Sequence, residues 1–539
     1  MNWQSLVVLF GAGAAARWFA AAHHNLQEDS FLLLEAAKYL LRTGVYSVPS
    51  VGEVDGLLHW SPPSWPVGYP LLLAAVFKIF GPTEGAARLA TIAISGLLPP
   101  LTAYLTFQFS GRRALAWIAG VLAALHPLGI AFGGQLFTNN LSVTFYVGSL
   151  CAMAAATVRE DQDGFVPFAE LVADAGRRRA FVVSALLFGL MMSVRDTDAL
   201  LGGPLIYMVY RSGLFSRSAV AKWRTSLAVL VGAALALLAG WAPSLYSNIR
   251  VFGSPLVSTH YQTGIRLDGS YLVTGSRFFF GLPGLAVMAV AIAACQLPAL
   301  LAVPAIASPR RLVKAIGVMT ILLMLPMLLV NGAFPVASTG AAPRYVLPLV
   351  PFACLFAAMA IDRAWSRPRR ATAVLVAAIV LSWNAFMFYP PPILFRIWSG
   401  FAYLTYYSPA YVGHPYHNYP DHTNAMVRWV TTHTPEDALI VAPSQASFFF
   451  FYGHRAVCVL NVLTIHDWAA HVATRPVFLV EDKNLALHPE IIKALRGRLA
   501  VGGLQLSVAG DIEVFTPEAG LTTVRAYRAE PAVAAGASS

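Results

Sequence analysis

The feature that most constrains this chain is the recurrence of apolar runs, most of them about 20 residues long and so long enough to cross a bilayer core as one helix. They fall near Trp3–His23, Gly85–Phe109, Ala114–Phe132, Leu136–Val158, Ala180–Val194, Asp196–Tyr210, Ser226–Tyr246, Phe278–Ala307, Ala315–Phe334, Tyr345–Ile361 and Ala371–Tyr389, about eleven in all. The pair meeting at Arg195 is short for two full spans and reads as tilted or broken helices. Composition agrees. Of 539 residues, 57% are hydrophobic and only 12% are charged, about half the charged share of a soluble domain. A soluble enzyme of this size could not keep its surface wet, and a disordered chain is excluded by the same numbers.

The net charge of +11 would suggest nucleic acid in a soluble protein, but its placement gives another reading. With the N-terminus cytoplasmic, alternate loops are basic: Arg112 and Arg113, then Arg159 with Arg177, Arg178 and Arg179, then Arg211, Arg217, Lys222 and Arg224. Arg310, Arg311 and Lys314 follow, and then Arg363, Arg367, Arg369 and Arg370. The opposite loops hold single residues such as Arg195 and Arg344. That alternation is the positive-inside rule; the charge is topology, and no nucleic-acid partner is expected. An odd number of spans puts the C-terminal region outside the cytoplasm. Met1–Ala22 lacks a basic leader and is interrupted by Arg17, so it reads as an uncleaved first span. Cys458 stands alone in the polar C-terminal part, which therefore has no internal disulfide, and no zinc-ligand spacing occurs.

The sequence thus predicts a mainly α, polytopic membrane protein with a C-terminal extracytoplasmic α/β domain: residues 1–389 form the transmembrane part, with 25–83 its first outer loop, and 390–539 the outer domain. In the loop, Ser30–Leu41 has the spacing of an amphipathic helix lying on the membrane, and Trp65–Phe80 is a second apolar segment too short to span easily. The C-terminal part alternates β-rich runs (Ala438–Ala442, Val457–Leu460, Pro476–Val480, Ile512–Phe515) with helix-like ones (His422–Thr432, Thr464–Ala473, Pro489–Arg498), and its tail Glu530–Ser539 reads as disordered.

Chemistry-bearing side chains gather on the predicted outer side. Glu28-Asp29 follows the first span in a chain poor in acids; the plain structural reading makes Asp29 a helix N-cap. Arg195-Asp196-Thr197-Asp198 sits where two apolar segments join, at a depth where ionisable residues face a cavity or one another. Its plain reading is an Arg195–Asp198 pair tying two helices; its functional one, an arginine for an anionic headgroup. His59, Lys78, His260, Tyr261, Arg266, Arg344 and Tyr345 complete the outer polar set. Arginine suits a phosphate because its planar fork binds two oxygens, although each of these residues alone also fits an interfacial anchor.

In order along the chain, several stretches resemble the GT-C superfamily of polytopic glycosyltransferases, nearest the dolichyl-phosphate-mannose protein mannosyltransferases and the lipid A aminoarabinose transferases. These are Glu28-Asp29 with Ala36–Ser47, Ser61–Gly81 with Gly85–Ala90, Asn248–Leu256 (NIRVFGSPL), Ala342–Phe352 (APRYVLPLVPF) and Ala425–Pro443. The resemblance implies a GT-C fold and transfer of a sugar from a polyprenyl-phosphate donor to a lipid, glycan or protein acceptor at the outer face of the cytoplasmic membrane. It implies Asp29 or Glu28 as base, with Arg344, Arg195, Arg266 and Lys78 as donor-phosphate ligands. His59, His260, Tyr261 and Tyr345 would line the substrate pocket. Where many relatives carry a second outer acid before the fourth span, this chain has Thr138-Asn139-Asn140; the sequence requires no cofactor and leaves a divalent metal open. A transporter or lipid flippase, and a non-catalytic assembly protein, are the competing readings. Neither needs an acidic pair facing basic residues.

Overall fold

The computed structural model describes residues 2–22, 28–51, 58–61, 65–159, 163–216, 223–255, 297–333, 346–365, 422–442, 455–460, 465–481, 489–516 and 520–532. The expected last span, Ala371–Tyr389, lies outside them, as does most of Phe278–Ala307. The first span is α1 (Trp3–Ala22), and the first loop yields α2 (Glu28–Thr43) and an antiparallel hairpin, β1 (Val48–Val51) with β2 (Leu58–Ser61). Helices α3 (Gly68–Phe80), α4 (Glu84–Ser95), α5 (Leu98–Ser110), α6 (Arg113–Ala124), α7 (Pro127–Gly133) and α8 (Thr138–Thr157) follow. A two-residue ladder joins β3 (Val158–Arg159) to β4 (Gly164–Phe165), ahead of α9 (Phe168–Ala173) and α10 (Ala175–Val194). A 3₁₀ segment, Asp196–Gly202, leads into α11 (Gly203–Arg211). Then come α12 (Trp223–Phe252), α13 (Ala302–Ile306), α14 (Arg311–Ala333) and α15 (Val350–Trp365). The expected break at Arg195 is present: the residue is extended, with φ −151° and ψ 104°.

The chain divides into two compact units, one of Met1–His24 and Ser64–Val412, the other of Asn25–Pro63 and Gly413–Ser539. In the first, four helical segments among the described residues are long and apolar enough to cross a membrane: Trp3–Ala21, Glu84–Ser110, Thr138–Thr157 and Trp223–Phe252. Helix α12 shows the inside-out pattern that lipid demands. Leu227, Val231, Leu235 and Leu238 form an exposed stripe, while Ser226, Val229, Ala233, Gly240 and Ser244 are buried on the opposite face. With no water to expel, helices in lipid associate by close packing of small residues and by interhelical hydrogen bonds. Both occur here. A Cβ on Gly189 of α10 would lie 2.1 Å from the Leu237 carbonyl oxygen, and one on Gly240 would lie 2.4 Å from that of Leu186. The Ser193 hydroxyl donates to the Gly240 carbonyl at 2.7 Å, and Ser149 and Ser184 exchange hydroxyl-to-carbonyl bonds of 2.8 and 2.9 Å between α8 and α10.

The second unit adds α16 (His422–His433), β5 (Leu439–Ala442), β6 (Ala456–Val459), α17 (Ile465–Thr474), β7 (Val477–Val480), α18 (Pro489–Val501), β8 (Leu504–Thr516) and β9 (Gly520–Pro531). The sheet order is β6-β5-β7-β9-β8, parallel through β7 and antiparallel beyond it. Strands β5 and β7 are buried along their whole length, as parallel strands covered on both faces must be. Trp468, Leu439, Val441, Leu479, Leu499 and Tyr527 are among the core residues. The long β8–β9 hairpin exceeds the sequence-based expectation, and β9 runs through Glu530 to Pro531. That corrects the disordered reading at the start of the tail: Val524, Ala526, Tyr527 and Ala529 are buried and supply the apolar face that holds the strand. Helix α2 is amphipathic as expected, and Leu33, Leu34, Ala36 and Ala37 on it are buried.

The packing of α10 on α12 gives a controlled test. In α12, Gly240→Ala should destabilise the protein by about 1–3 kcal/mol through overpacking. Gly232→Ala, where a Cβ meets nothing within 4 Å, should be neutral or stabilising by up to about 1 kcal/mol. Thermal unfolding of the two purified variants in detergent compares them directly, and equal losses would contradict the glycine-mediated contact.

Candidate active site

The N-terminal turns of α8 are the most polar part of the bundle core. Thr138, Asn139, Asn140, Ser142 and Thr144 are all buried there. Residues four apart share a helix face, and residues two apart point about 200° from each other. Asn140 and Thr144 therefore form one polar face, and Ser142 with Tyr146 the opposite one.

The first face meets Arg17. Its side chain is fully buried in α1, and Nη1 donates to the Gly13 carbonyl at 2.9 Å. Nε and Nη2 have no hydrogen-bond partner among the described residues. The cradle is built of glycines: a Cβ on Gly129 or Gly133 would sit 2.7 or 2.6 Å from Arg17 atoms. Asn140 Nδ2 donates to the carbonyls of Phe132 and Gln135, both at 2.8 Å, and Ser95 Oγ to that of Gly133 at 2.8 Å, so the turn around the arginine is held from two sides. Beside the guanidinium lies a cavity of about 10 Å³ lined by Arg17, Ser95, Asn140, Thr144 and Leu347 among others, roughly the room of one water-sized particle.

The second face meets the break after α10. Ser142 Oγ donates to Asp198 Oδ2, and Arg195 Nε lies 3.2 Å from Asp198 Oδ1. The two side chains of the ion pair are only 14% and 15% exposed. Tyr146, one turn along from Ser142, is buried with its hydroxyl unpartnered among the described residues. Helix α3 starts against this corner: a Cβ on Gly68 would lie 2.4 Å from the Ser193 carbonyl oxygen.

The expected Arg195–Asp198 pair is thus formed, and it bonds α8 as well as the broken helix. Lys78 stands exposed in the last turn of α3, about 15 Å along the axis from Gly68. Glu28 and Asp29 open the first turn of α2, which places Asp29 inside the helix rather than at its cap; negative charge there is favoured by the helix dipole. The side chains of Glu28, Asp29 and His59, and the whole of His260, Tyr261, Arg266, Arg344 and Tyr345, lie outside the described residues. Sequence reading noted Arg17 only as an interruption of the first span and passed over Ser142, Thr144 and Tyr146. The signal was available as polar residues at i, i+4 in an apolar run, together with an arginine that has no acid in its own span.

No protein-family model and no curated protein matches the sequence. Solved structures do match. ArnT from Cupriavidus metallidurans bound to undecaprenyl phosphate is similar over 98% of both chains at 16% identity, with a TM-score of 0.57. The archaeal oligosaccharyltransferase AglB from Archaeoglobus fulgidus, in complex with an inhibitory peptide and a dolichol-phosphate, is similar over 97% of this chain and 74% of its own at 12% identity, with a TM-score of 0.52. The chain has the GT-C fold of these proteins.

The buried guanidinium yields an expectation of its own. An ion without a countercharge in an apolar bundle lowers stability, and an apolar residue of similar length relieves that cost. Arg17→Met should leave the unfolding temperature unchanged or raise stability by about 1–4 kcal/mol. A clear loss of stability in a thermal melt would mean that the arginine is neutralised in its cavity by a bound partner.

Proposed function

We propose that this protein is a membrane glycosyltransferase that moves a sugar from a polyprenyl-phosphate donor to an acceptor at the outer face of the cytoplasmic membrane. The observation that carries this reading is the end-to-end likeness to a structure crystallised with undecaprenyl phosphate. A second likeness, at lower identity, is to an oligosaccharyltransferase in complex with a dolichol-phosphate. The ligand type common to both is a polyprenyl phosphate, the leaving group that such a transfer releases.

The reaction makes few demands. An acceptor oxygen bonds to the anomeric carbon, the bond from that carbon to the donor's phosphate oxygen breaks, and the acceptor proton passes to a base. Asp29, with Glu28 as its neighbour, is the proposed base. Adjacent helical residues point about 100° apart, so one of the two acts and the other supports. The leaving phosphate is anionic and needs preorganised positive charge. Arg344 is the first choice, since Arg195 shares its charge with Asp198; Arg266 and Lys78 are the remaining candidates. His59, His260, Tyr261 and Tyr345 are proposed to contact sugar or lipid.

The decisive experiment supplies purified protein in lipid nanodiscs with defined polyprenyl-phosphate sugars and a panel of lipid, glycan and peptide acceptors, with and without a divalent metal. Release of polyprenyl phosphate coupled to acceptor glycosylation is the expected outcome; translocation of the donor without transfer would instead establish the flippase reading. Asp29→Asn should lower turnover by about 100-fold or more, with Glu28→Gln milder. Near wild-type turnover in both would remove the base from this helix.

Arg344 separates a phosphate ligand from an interfacial anchor. A lysine keeps the charge but loses the two-point geometry, so Arg344→Lys should already impair transfer and Arg344→Ala should do so further. The loss should appear in donor KM as well as kcat, because the phosphate is anionic in both ground and transition states. Unchanged donor kinetics with altered thermal stability would make Arg344 an anchor and pass its role to Arg266 or Arg195.

A further inference from the structure

At the opposite end of α8, about 30 Å from the Arg17 and Arg195 clusters, the structure holds a cavity of about 750 Å³. It opens among the ends of α5, α6, α13, α14 and α15, and its wall is apolar, with Phe109, Leu115, Ile316, Leu355 and Phe356 among its lining residues. Its volume is that of a site for a substantial small molecule. The mouth is charged: Arg112, Arg310 and Arg363 stand there with Asp163 and Asp362.

The partners of these groups decide which charge is left over. Asp362 takes both terminal nitrogens of Arg112, at 2.5 and 2.7 Å. Asp163, held at φ 45°, accepts the backbone N–H groups of Arg311 and Leu312 at 2.8 and 3.0 Å, and so closes the start of α14. Both carboxylates are therefore engaged. Arg310 is exposed and makes no ion pair among the described residues. Among the described lining residues the mouth carries three arginines and two carboxylates, and an apolar slot under such a mouth is complementary to a molecule with a hydrocarbon tail and an anionic head.

We propose that this cavity binds an anionic glycerophospholipid of the cytoplasmic leaflet, with an acyl chain against the apolar wall and the phosphate at Arg310. The proposal rests on reading the basic loops as cytoplasmic. It does not depend on the sugar-transfer reaction. The bonds from Arg112 to Asp362 and from Asp163 to the start of α14 bring four basic loops to one end of the bundle, and a basic pocket between helices at that face is where anionic headgroups are attracted.

The test is native mass spectrometry of the full-length protein in neutral detergent, titrated with phosphatidylglycerol and with phosphatidylcholine of the same acyl chains. Wild type should retain phosphatidylglycerol in preference. Arg310→Gln should weaken phosphatidylglycerol binding about fivefold, the equivalent of one surface charge, and leave phosphatidylcholine unchanged. Ala307→Trp, which narrows the cavity, should weaken both lipids. Positions 307 and 310 are exposed, so both variants should keep the wild-type circular dichroism and gel-filtration profile. Equal retention of the two lipids by wild type, or an unaltered preference in Arg310→Gln, would overturn the proposal. So would a stronger preference for undecaprenyl phosphate than for phosphatidylglycerol, because the occupant would then be a polyprenyl lipid. Sugar transfer is not part of the readout, so failure here leaves the glycosyltransferase reading untouched.

Discussion

The close approach of α10 to its neighbours α8 and α12 is the constraint on which the rest of the helical unit depends. In lipid, no hydrophobic force draws helices together, so contact must come from shape and from hydrogen bonds that have no competing water. Gly189 and Gly240 remove the side chains that would hold α10 and α12 apart, and the paired hydroxyls of Ser149 and Ser184 tie α10 to α8. Ser193 then anchors the last turn of α10 to the Gly240 carbonyl. With that end fixed, Arg195 leaves the helix in an extended conformation at a defined place, and Asp198 can return to Ser142 on α8. A looser contact one turn earlier would let the ion pair drift, so the polar corner inherits its geometry from glycine and serine packing in the bundle.

Arg17 shows the same logic with the opposite sign. Gly129 and Gly133 are spaced so that only a missing Cβ admits the guanidinium, and the carbonyl of Gly133 is at the same time bound by Ser95. A chain selected for stability alone would place leucine in such a slot. An incompletely bonded cation lining the same small cavity as Asn140 and Thr144 is compatible with the anionic ligand of the proposed function. The charge raises the local potential without being solvated away, as fixed charges in a dry site do.

Much of this was legible in the residues. Four of the apolar runs coincide with the helical segments long and apolar enough to cross a membrane among the described residues, because length and hydrophobicity carry that signal, and the break at Arg195 followed from two apolar segments too short for full spans. In the second unit, β5 and β7 were legible as short fully apolar runs. β9 was not: Thr522, Thr523, Arg525 and Arg528 alternate with Val524 and Ala526 in a stretch too polar to stand out until β8 is seen beside it. The burial of Leu33 and Leu34 was equally hidden, since one amphipathic pattern serves a membrane surface and a protein surface alike. Arg17 was the largest miss. Its significance lies in glycines more than a hundred residues away, and a linear reading has no way to bring them together.

The two ends of the first unit divide the work by charge. At the start of α8 the polar groups are uncharged or single: amides, hydroxyls, one ion pair and one cation in a cradle. At its far end the arginines are numerous, exposed and partly matched with carboxylates that also close helix ends. Exposed arginine is cheap where water and lipid headgroups solvate it, and it fixes the orientation of the chain. Buried arginine is costly, and within a membrane bundle it faces a cavity or pairs with other groups, as Arg17 does with the Gly13 carbonyl. Under the proposed function, a protein taking an anionic lipid donor from the outer leaflet would need both kinds, one to set the orientation of the chain and one to hold the phosphate. The same residue type thus occupies both ends of the unit, distinguished by how far each guanidinium stands from water: Arg17 is fully buried and Arg310 exposed.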